Sequence, residues 1–487
     1  MLIKKIENLY RKIDLKILLV LFFLFSRIFF SLYFKENYQD DWYHIVSGKF
    51  FFENFKFPIL TPYFDNFGYI RGSYVSILVG LFMKIFGESI FIARFVPILM
   101  STLNFLILYK ISEILLKDKK NIIFVMLLYS IHPYLILNSL YIRMYVFYDF
   151  VFFISFYLTL KKFSLNNKLY KNTLFVILFL IIFISLSSFD RGSYLTSFYS
   201  IALLVVFYFL KKYLENQKVL KMTFLISFSS LFLYFSFNLS NFLIRENLIV
   251  KGAGGLGSLF LDEYLVFSIF VFSNFLFYSY FKNIKKQFFI LSSFLIIFAS
   301  IFLIPSEYQA IRGFSFLFPL FFINFALGLE KIYNFFGKNV SYLFYVIAIF
   351  TISRTYTPGF IQNGPEIPGE IGIYSFDESY KKIINDYKDK KIIQFAYNIV
   401  PDLFYGKNTD YIFNQDENIQ KEFFPEYVTH ITNLDDLRDI NLIFDTCILI
   451  SDFSYTKLMN EETQKYIKEN YYLVFDNHGY DFVCENY

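Results

Sequence analysis

The stretch Asn37-Tyr-Gln-Asp-Asp-Trp-Tyr-His44 decides how this chain is read. It follows a basic N-terminal segment and an apolar run over 15–34. That run continues without a small-residue cleavage site, so it is expected to remain as an uncleaved span. An acidic pair, Asp40 and Asp41, then stands just beyond the first hydrophobic helix. Charge at the edge of hydrocarbon is costly unless it is paired or solvated. Two carboxylates there are not needed to hold apolar helices together, and so they point to chemistry at the lip of a bilayer.

The rest of the chain supplies the bilayer. Of 487 residues, 56% are hydrophobic and 23% aromatic, and the mean hydropathy is +0.46. Apolar runs long enough to cross occur at 15–34, 90–116, 121–138, 145–162, 171–189, 194–210, 222–242, 264–281, 287–304, 314–330 and 341–356. These predict about eleven transmembrane helices. The formal net charge of +5 matters less than its distribution. Lys4, Lys5, Arg11 and Lys12 precede the first run, and Lys117, Lys119 and Lys120 follow the second. Further lysines follow the fourth, sixth, eighth and tenth runs, at Lys161, Lys211, Lys286 and Lys331 among others. The positive-inside rule assigns all of these to the cytoplasm. The N-terminus is then cytoplasmic, and an odd number of spans leaves the C-terminal region outside.

The run 72–86 is apolar but short for a span, and counting it as one would invert every later basic cluster. It is expected to lie on the outer surface of the membrane together with 43–55. The first outer loop, about 35–89, then carries two surface helices. From about residue 357 the composition changes. Pro358, Gly359, Gly364, Pro365, Pro368 and Gly369 read as a linker. Beyond it, short β-rich runs alternate with polar helix-compatible ones, which predicts a small extracytoplasmic α/β domain over 357–487 after a transmembrane domain over 1–356. The two cysteines, Cys447 and Cys484, lie in this region without metal-type spacing. A disulfide and a pair of buried thiols are both compatible with them.

This topology gathers ionisable residues at the outer end of the bundle. The first loop holds Asp40, Asp41, His44, Asp65 and Arg71. Later connections add Arg143, then Asp190 with Arg191, then a Gly-rich stretch over 243–263, then Glu307 with Arg312. Arginine presents a planar fork that binds phosphate oxygens through two hydrogen bonds. A carboxylate nearby can take the proton of an attacking hydroxyl. Base, hydroxyl and phosphate leaving group together describe glycosyl transfer from a polyprenyl-phosphate sugar, with the arginines stabilising charge on the departing phosphate.

The same residues resemble a known group. Asp40-Asp-Trp-Tyr43, Tyr69-Ile-Arg-Gly-Ser-Tyr74, Phe86-Gly-Glu-Ser-Ile-Phe-Ile-Ala-Arg94, Arg143-Met-Tyr145, and Arg312 ahead of Phe318-Pro319 occur in order. In this the chain resembles membrane glycosyltransferases of the C-type fold, above all family 39, which includes protein O-mannosyltransferases and the aminoarabinose transferase of lipid A. The resemblance covers roughly residues 15–330. It implies that Asp40 is the catalytic base and that Asp41, where the family commonly has Glu, supports it. It also implies a polyprenyl-phosphate-linked sugar as donor.

Arg71, Arg143, Arg191 and Arg312 are the candidates for the donor phosphate, and Tyr43, His44, Tyr69 and Tyr145 for the sugar and lipid-head pocket. The sequence singles out no cofactor. A divalent metal stays open, since Asp40, Asp41 and His44 could supply ligands. The expected partners are the lipid bilayer, the polyprenyl-phosphate sugar, and an acceptor that is a glycan, a lipid or a protein; no nucleic acid is expected. The expected location is the cell membrane, with a role in building envelope glycan or in protein or lipid glycosylation.

Plainer roles stand beside these. Asp40 and Asp41 could cap the following helix. Arg143 could snorkel to the interface. Arg191 could pair with Asp190, Arg312 with Glu307, and Arg94 with Glu88. His44 and His132 could serve only as hydrogen-bonding groups. Arg27, inside the first span, could reach either the polar site or a neighbouring helix. Two other functions compete. A lipid-linked glycan polymerase or ligase would want a large outer loop late in the chain. A secondary transporter would want charges near mid-membrane, broken helices and repeat symmetry.

Overall fold

The structure, a computed structural model, describes residues 15–33, 37–55, 72–162, 177–184, 188, 194, 196–204, 264–278, 281, 283–302, 311–353, 373–374, 380, 383, 385–395, 409–413, 428–451, 459–477 and 480–485. Helices fall where apolar runs predict them. They are α1 (Leu15–Tyr33), α4 (Ile90–Leu115), α5 (Lys119–Ile131), α6 (Pro133–Asn138) and α7 (Tyr145–Lys162), then α8 (Leu265–Leu276), α9 (Ile284–Phe302), α10 (Leu317–Phe336) and α11 (Lys338–Ser353). Residues 177–184 and 196–204 are also helical, while the expected span over 222–242 lies outside the described residues. The stretch expected as the first outer loop contributes α2 (Gln39–Asn54) and α3 (Ser73–Phe86).

One expected span is broken in two. The run 121–138 divides at His132–Pro133, where His132 is extended with φ −68° and ψ 124°. Proline drives the residue before it out of the helical region and then opens a new helix, because its missing N–H would have no helical partner there.

The bundle is apolar outward and partly polar inward. Helix α1 buries Leu19, Phe23, Arg27 and Ser31, one residue every turn. Its opposite stripe, Leu21, Phe25, Phe29 and Leu32, is exposed. Helix α11 repeats the pattern with Leu343, Val346 and Phe350 outward. Exposed apolar stripes of this extent suit hydrocarbon rather than water. Among the described residues, α1 and α4 are the helices that are long and apolar enough to cross a membrane by themselves.

Arg27 is a structural tie. Its guanidinium donates to the carbonyls of Ser130 (2.6 Å) and Tyr129 (3.1 Å) at the end of α5 and lies over the Phe23 ring. Arg94 does the same for α4, donating to the Ser31 carbonyl at 2.9 Å. Glu88 instead meets Lys49 of α2 at 2.8 Å, so the turn pair expected between Glu88 and Arg94 is replaced by two longer links. At the end of the bundle away from α2, Glu330 accepts from Lys286 Nζ (2.7 Å) and from the Lys117 backbone N–H (2.7 Å). Tyr345 donates to Asn121 nearby. Three of the lysine-flanked helix ends thus converge on one face.

The C-terminal residues form a six-stranded mixed sheet in the order β5-β4-β3-β6-β8-β7. Its strands are β3 (Lys391–Phe395), β4 (Tyr411–Phe413), β5 (Thr429–Ile431), β6 (Thr446–Ser451), β7 (Tyr471–Asn477) and β8 (Tyr480–Glu485). Two helices, α12 (Leu434–Ile443) and α13 (Glu461–Asn470), accompany it, each capped by an asparagine side chain. Strands β3 to β6 pair in parallel, and β8 runs antiparallel between β6 and β7. Cys447 and Cys484 stand opposite each other on β6 and β8 and form a disulfide. A separate two-stranded ladder joins β1 (Asn37–Tyr38) to β2 (Ile373–Tyr374), with Asn37 opposite Tyr374. The residues just before the acidic pair are therefore hydrogen-bonded to the chain beyond the linker.

Candidate active site

The acidic pair occupies the first turn of α2, where the free backbone N–H groups of a helix favour carboxylates. The helix is held by α3 through a glycine contact. A methyl group on Gly48 would fall 2.3 Å from the Ser76 carbonyl oxygen and 2.7 Å from the Gly80 nitrogen. One on Gly80 would fall 2.3 Å from the Gly48 carbonyl oxygen. Only hydrogen fits at either place, so the two backbones touch and α2 and α3 form a rigid pair. The bland composition of this contact hides it in the sequence.

Asp41 is buried and aims into the bundle. Its Oδ1 accepts a hydrogen bond from the Ile142 backbone N–H at 3.0 Å. The next residue, Arg143, is also buried, and its guanidinium lies 5.9 Å from the centre of the Tyr145 ring. His44, one turn after Asp41, is fully buried, and its Nδ1 lies 2.9 Å from Ser76 Oγ of α3. Burial first, and the Arg143 charge second, hold the His44 imidazole well below its ordinary pKa, so it is neutral at physiological pH. Gly72, with φ +60°, turns the chain into α3 beside it. A side chain there would come within 3.3 Å of the His44 ring and 3.4 Å of Met144 Sδ. Asp41, His44 and Arg143 thus meet at one end of the bundle. Tyr43 is half-buried and Tyr145 buried beside them.

Asp40 stands in the same turn as Asp41, and Arg312 in a 3-10 turn, Ile311–Phe314. The side chains of both, and Tyr69, Arg71 and Arg191 altogether, lie outside the described residues. Among the described residues, no three His, Cys, Asp or Glu gather in a way that could hold a metal.

A second polar cluster escaped the sequence reading. Asp149, on the second turn of α7, is buried. It accepts from Ser315 Oγ at 2.8 Å on both carboxylate oxygens, from Asn138 Nδ2 at 3.3 Å, and from the Phe316 backbone N–H. Asn138 Nδ2 also donates to Ser315 Oγ at 2.6 Å. An ionisable residue within an apolar span marks a functional hypothesis by default, and that signal was legible in Tyr145-Val-Phe-Tyr-Asp149. Close by in sequence, His132 Nε2 lies 2.8 Å from the Tyr264 hydroxyl, among the rings of Tyr134 and Phe318. Tyr264 caps the start of α8, so this bond fixes where that helix begins.

No family model matches the chain, and no curated protein matches it. Solved structures do. The crystal structure of ArnT from Cupriavidus metallidurans in the apo state is 11% identical with a TM-score of 0.46, over 96% of this chain and 97% of that one. The crystal structure of ArnT from Cupriavidus metallidurans bound to undecaprenyl phosphate is 12% identical with a TM-score of 0.45, over the same shares, 96% and 97%.

Proposed function

We propose that this chain is a membrane glycosyltransferase that moves one sugar from a polyprenyl phosphate to an acceptor outside the cytoplasm. The observation that carries this reading is the hydrogen bond from Ile142 N–H to Asp41 Oδ1. It docks the turn bearing both carboxylates against the loop bearing Arg143, at one end of an apolar bundle. A proton acceptor and a phosphate binder are what this transfer requires side by side.

In the proposed reaction the acceptor hydroxyl attacks the anomeric carbon and Asp40 takes its proton. The bond from that carbon to the phosphate oxygen breaks, and the electron pair leaves with the polyprenyl phosphate. Configuration at the anomeric carbon inverts. Arg143, with Arg71, Arg191 and Arg312, stabilises the charge gathering on the phosphate. Asp41 positions the turn, and Tyr43, His44, Tyr69 and Tyr145 line the pocket for sugar and lipid head. A neutral His44 adds no charge to compete with the arginines.

Two features support the assigned orientation. Lys117, Lys286 and Glu330 converge at the end of the bundle away from the acids, as a cytoplasmic face would have it. The disulfide between Cys447 and Cys484 fits an oxidising compartment for the C-terminal sheet, which is proposed to help select the acceptor. The decisive experiment compares surface glycans by mass spectrometry in cells lacking the gene and in cells restored with wild type or with Asp40→Asn. One residue mass missing from both the null and the mutant supports the proposal and identifies the sugar class. Normal glycans with normally expressed Asp40→Asn protein would overturn it, and loss of chain length alone would favour a polymerase.

A further inference from the structure

Asp149 sits where three segments meet. Asn138 ends α6, Asp149 lies on α7, and Ser315 with Phe316 follows the 3-10 turn. The α6–α7 connection carries Arg143, and the 3-10 turn carries Arg312. These two arginine-bearing segments are far apart in sequence, and Asp149 and its partners provide polar contacts between them. Ser315 Oγ, Asn138 Nδ2 and the Phe316 backbone N–H all converge on the Asp149 side chain, so it is held from three points.

The physical need for such a tie is direct. Two guanidinium groups that must reach one phosphate repel each other when the site is empty. Binding geometry has to be held to within about half an ångström to be productive. A side chain hydrogen-bonded to both segments sets their spacing before the ligand arrives. We infer that Asp149 is a positioning residue that holds the Arg312 turn at the spacing from the Arg143 loop that a lipid-linked phosphate requires. This inference rests on the proposed function and extends it to a residue that touches neither sugar nor acceptor.

The test is a double-mutant cycle on the full-length protein in nanodiscs, with undecaprenyl phosphate as the probe and thermal unfolding measured alongside. Asp149→Asn keeps the volume but turns amide hydrogens toward donors. It is expected to weaken binding by about tenfold or more in the wild-type background. Arg312→Lys keeps the charge but loses the fork. In that background Asp149→Asn is expected to cost less than about twofold, because coupled residues are not additive. Ser315→Ala removes one donor at the same junction and is expected to show the same coupling, which keeps the test open if Asp149→Asn does not fold.

A purely structural role would lower the unfolding temperature and give equal losses in both backgrounds, and that result would overturn the inference alone. Absence of undecaprenyl phosphate binding by the wild-type protein would overturn the proposed function and this inference with it.

Discussion

Asp41 Oδ1 lies 3.0 Å from the backbone nitrogen of Ile142, and this bond joins the carboxylate turn to the arginine loop. It separates the duties of two adjacent acids. Asp41 is engaged in holding architecture, and in the proposed mechanism Asp40 takes the proton. Asp40→Asn is expected to lower transfer by about a hundredfold or more, the scale of a lost general base, with little change in thermal stability. Asp41→Ala leaves the buried Ile142 N–H without its acceptor, which costs about 1–3 kcal/mol. Activity and unfolding temperature measured on both variants should therefore split. Equal unfolding temperatures for the two would count against this division of roles.

The contact between α2 and α3 leaves no room for a methyl group. Gly48→Ala and Gly80→Ala each drive a carbon into backbone atoms, and the helices must part to admit it. Overpacking of this kind costs about 1–3 kcal/mol. Because α2 also carries the acids, transfer should fall together with stability. An enzyme carrying Gly48→Ala with wild-type stability and rate would show that the helices do not touch as described.

His44 makes stability depend on pH with a definite sign. Its folded pKa lies below that of an unfolded histidine, which is near 6.5. As pH falls through about 6.5, the unfolded chain takes up a proton that buried His44 refuses. Stability is therefore lost on acidification, and it is fully present above that pH. The unfolding temperature of the wild type should drop between about pH 7.5 and 5.5 more steeply than that of His44→Gln. Parallel curves would remove His44 as the cause.

Cys447 and Cys484 are 37 residues apart and cross-link neighbouring strands. Cys447→Ser, or a reductant, should destabilise the C-terminal sheet by about 2–4 kcal/mol. Limited proteolysis of membranes with and without reductant, with the cut sites mapped by mass spectrometry, measures this directly. Equal resistance of the region 391–485 under both conditions would contradict it.

Much of the helical layout was legible because membrane spans announce themselves by length and hydropathy. The runs 15–34, 90–116 and 145–162 emerge as α1, α4 and α7 almost residue for residue. What stayed hidden depends on contacts between distant segments. Gly48 and Gly80 look ordinary until their backbones meet. Glu88 and Arg94, neighbours in sequence, turn to Lys49 and to the Ser31 carbonyl instead. Cys447 and Cys484 allowed two chemistries until the register of β6 and β8 set them face to face. Asp149 is hidden for another reason: one carboxylate among aromatic residues barely changes the mean hydropathy of a run. The break at His132–Pro133 was written in the proline and was likewise absorbed into a long run.

The ladder between Asn37–Tyr38 and Ile373–Tyr374 has a consequence for the order of assembly. The chain is made from its N-terminus, so the segment leading into Asp40 leaves the ribosome early and waits for its partner strand until nearly all of the helices have been inserted. The ladder that leads into the carboxylate turn closes only after the chain has been made as far as Tyr374. Under the proposed function, a nascent protein would be kept from presenting a finished proton acceptor to the membrane before the groups that bind and orient a donor are in place.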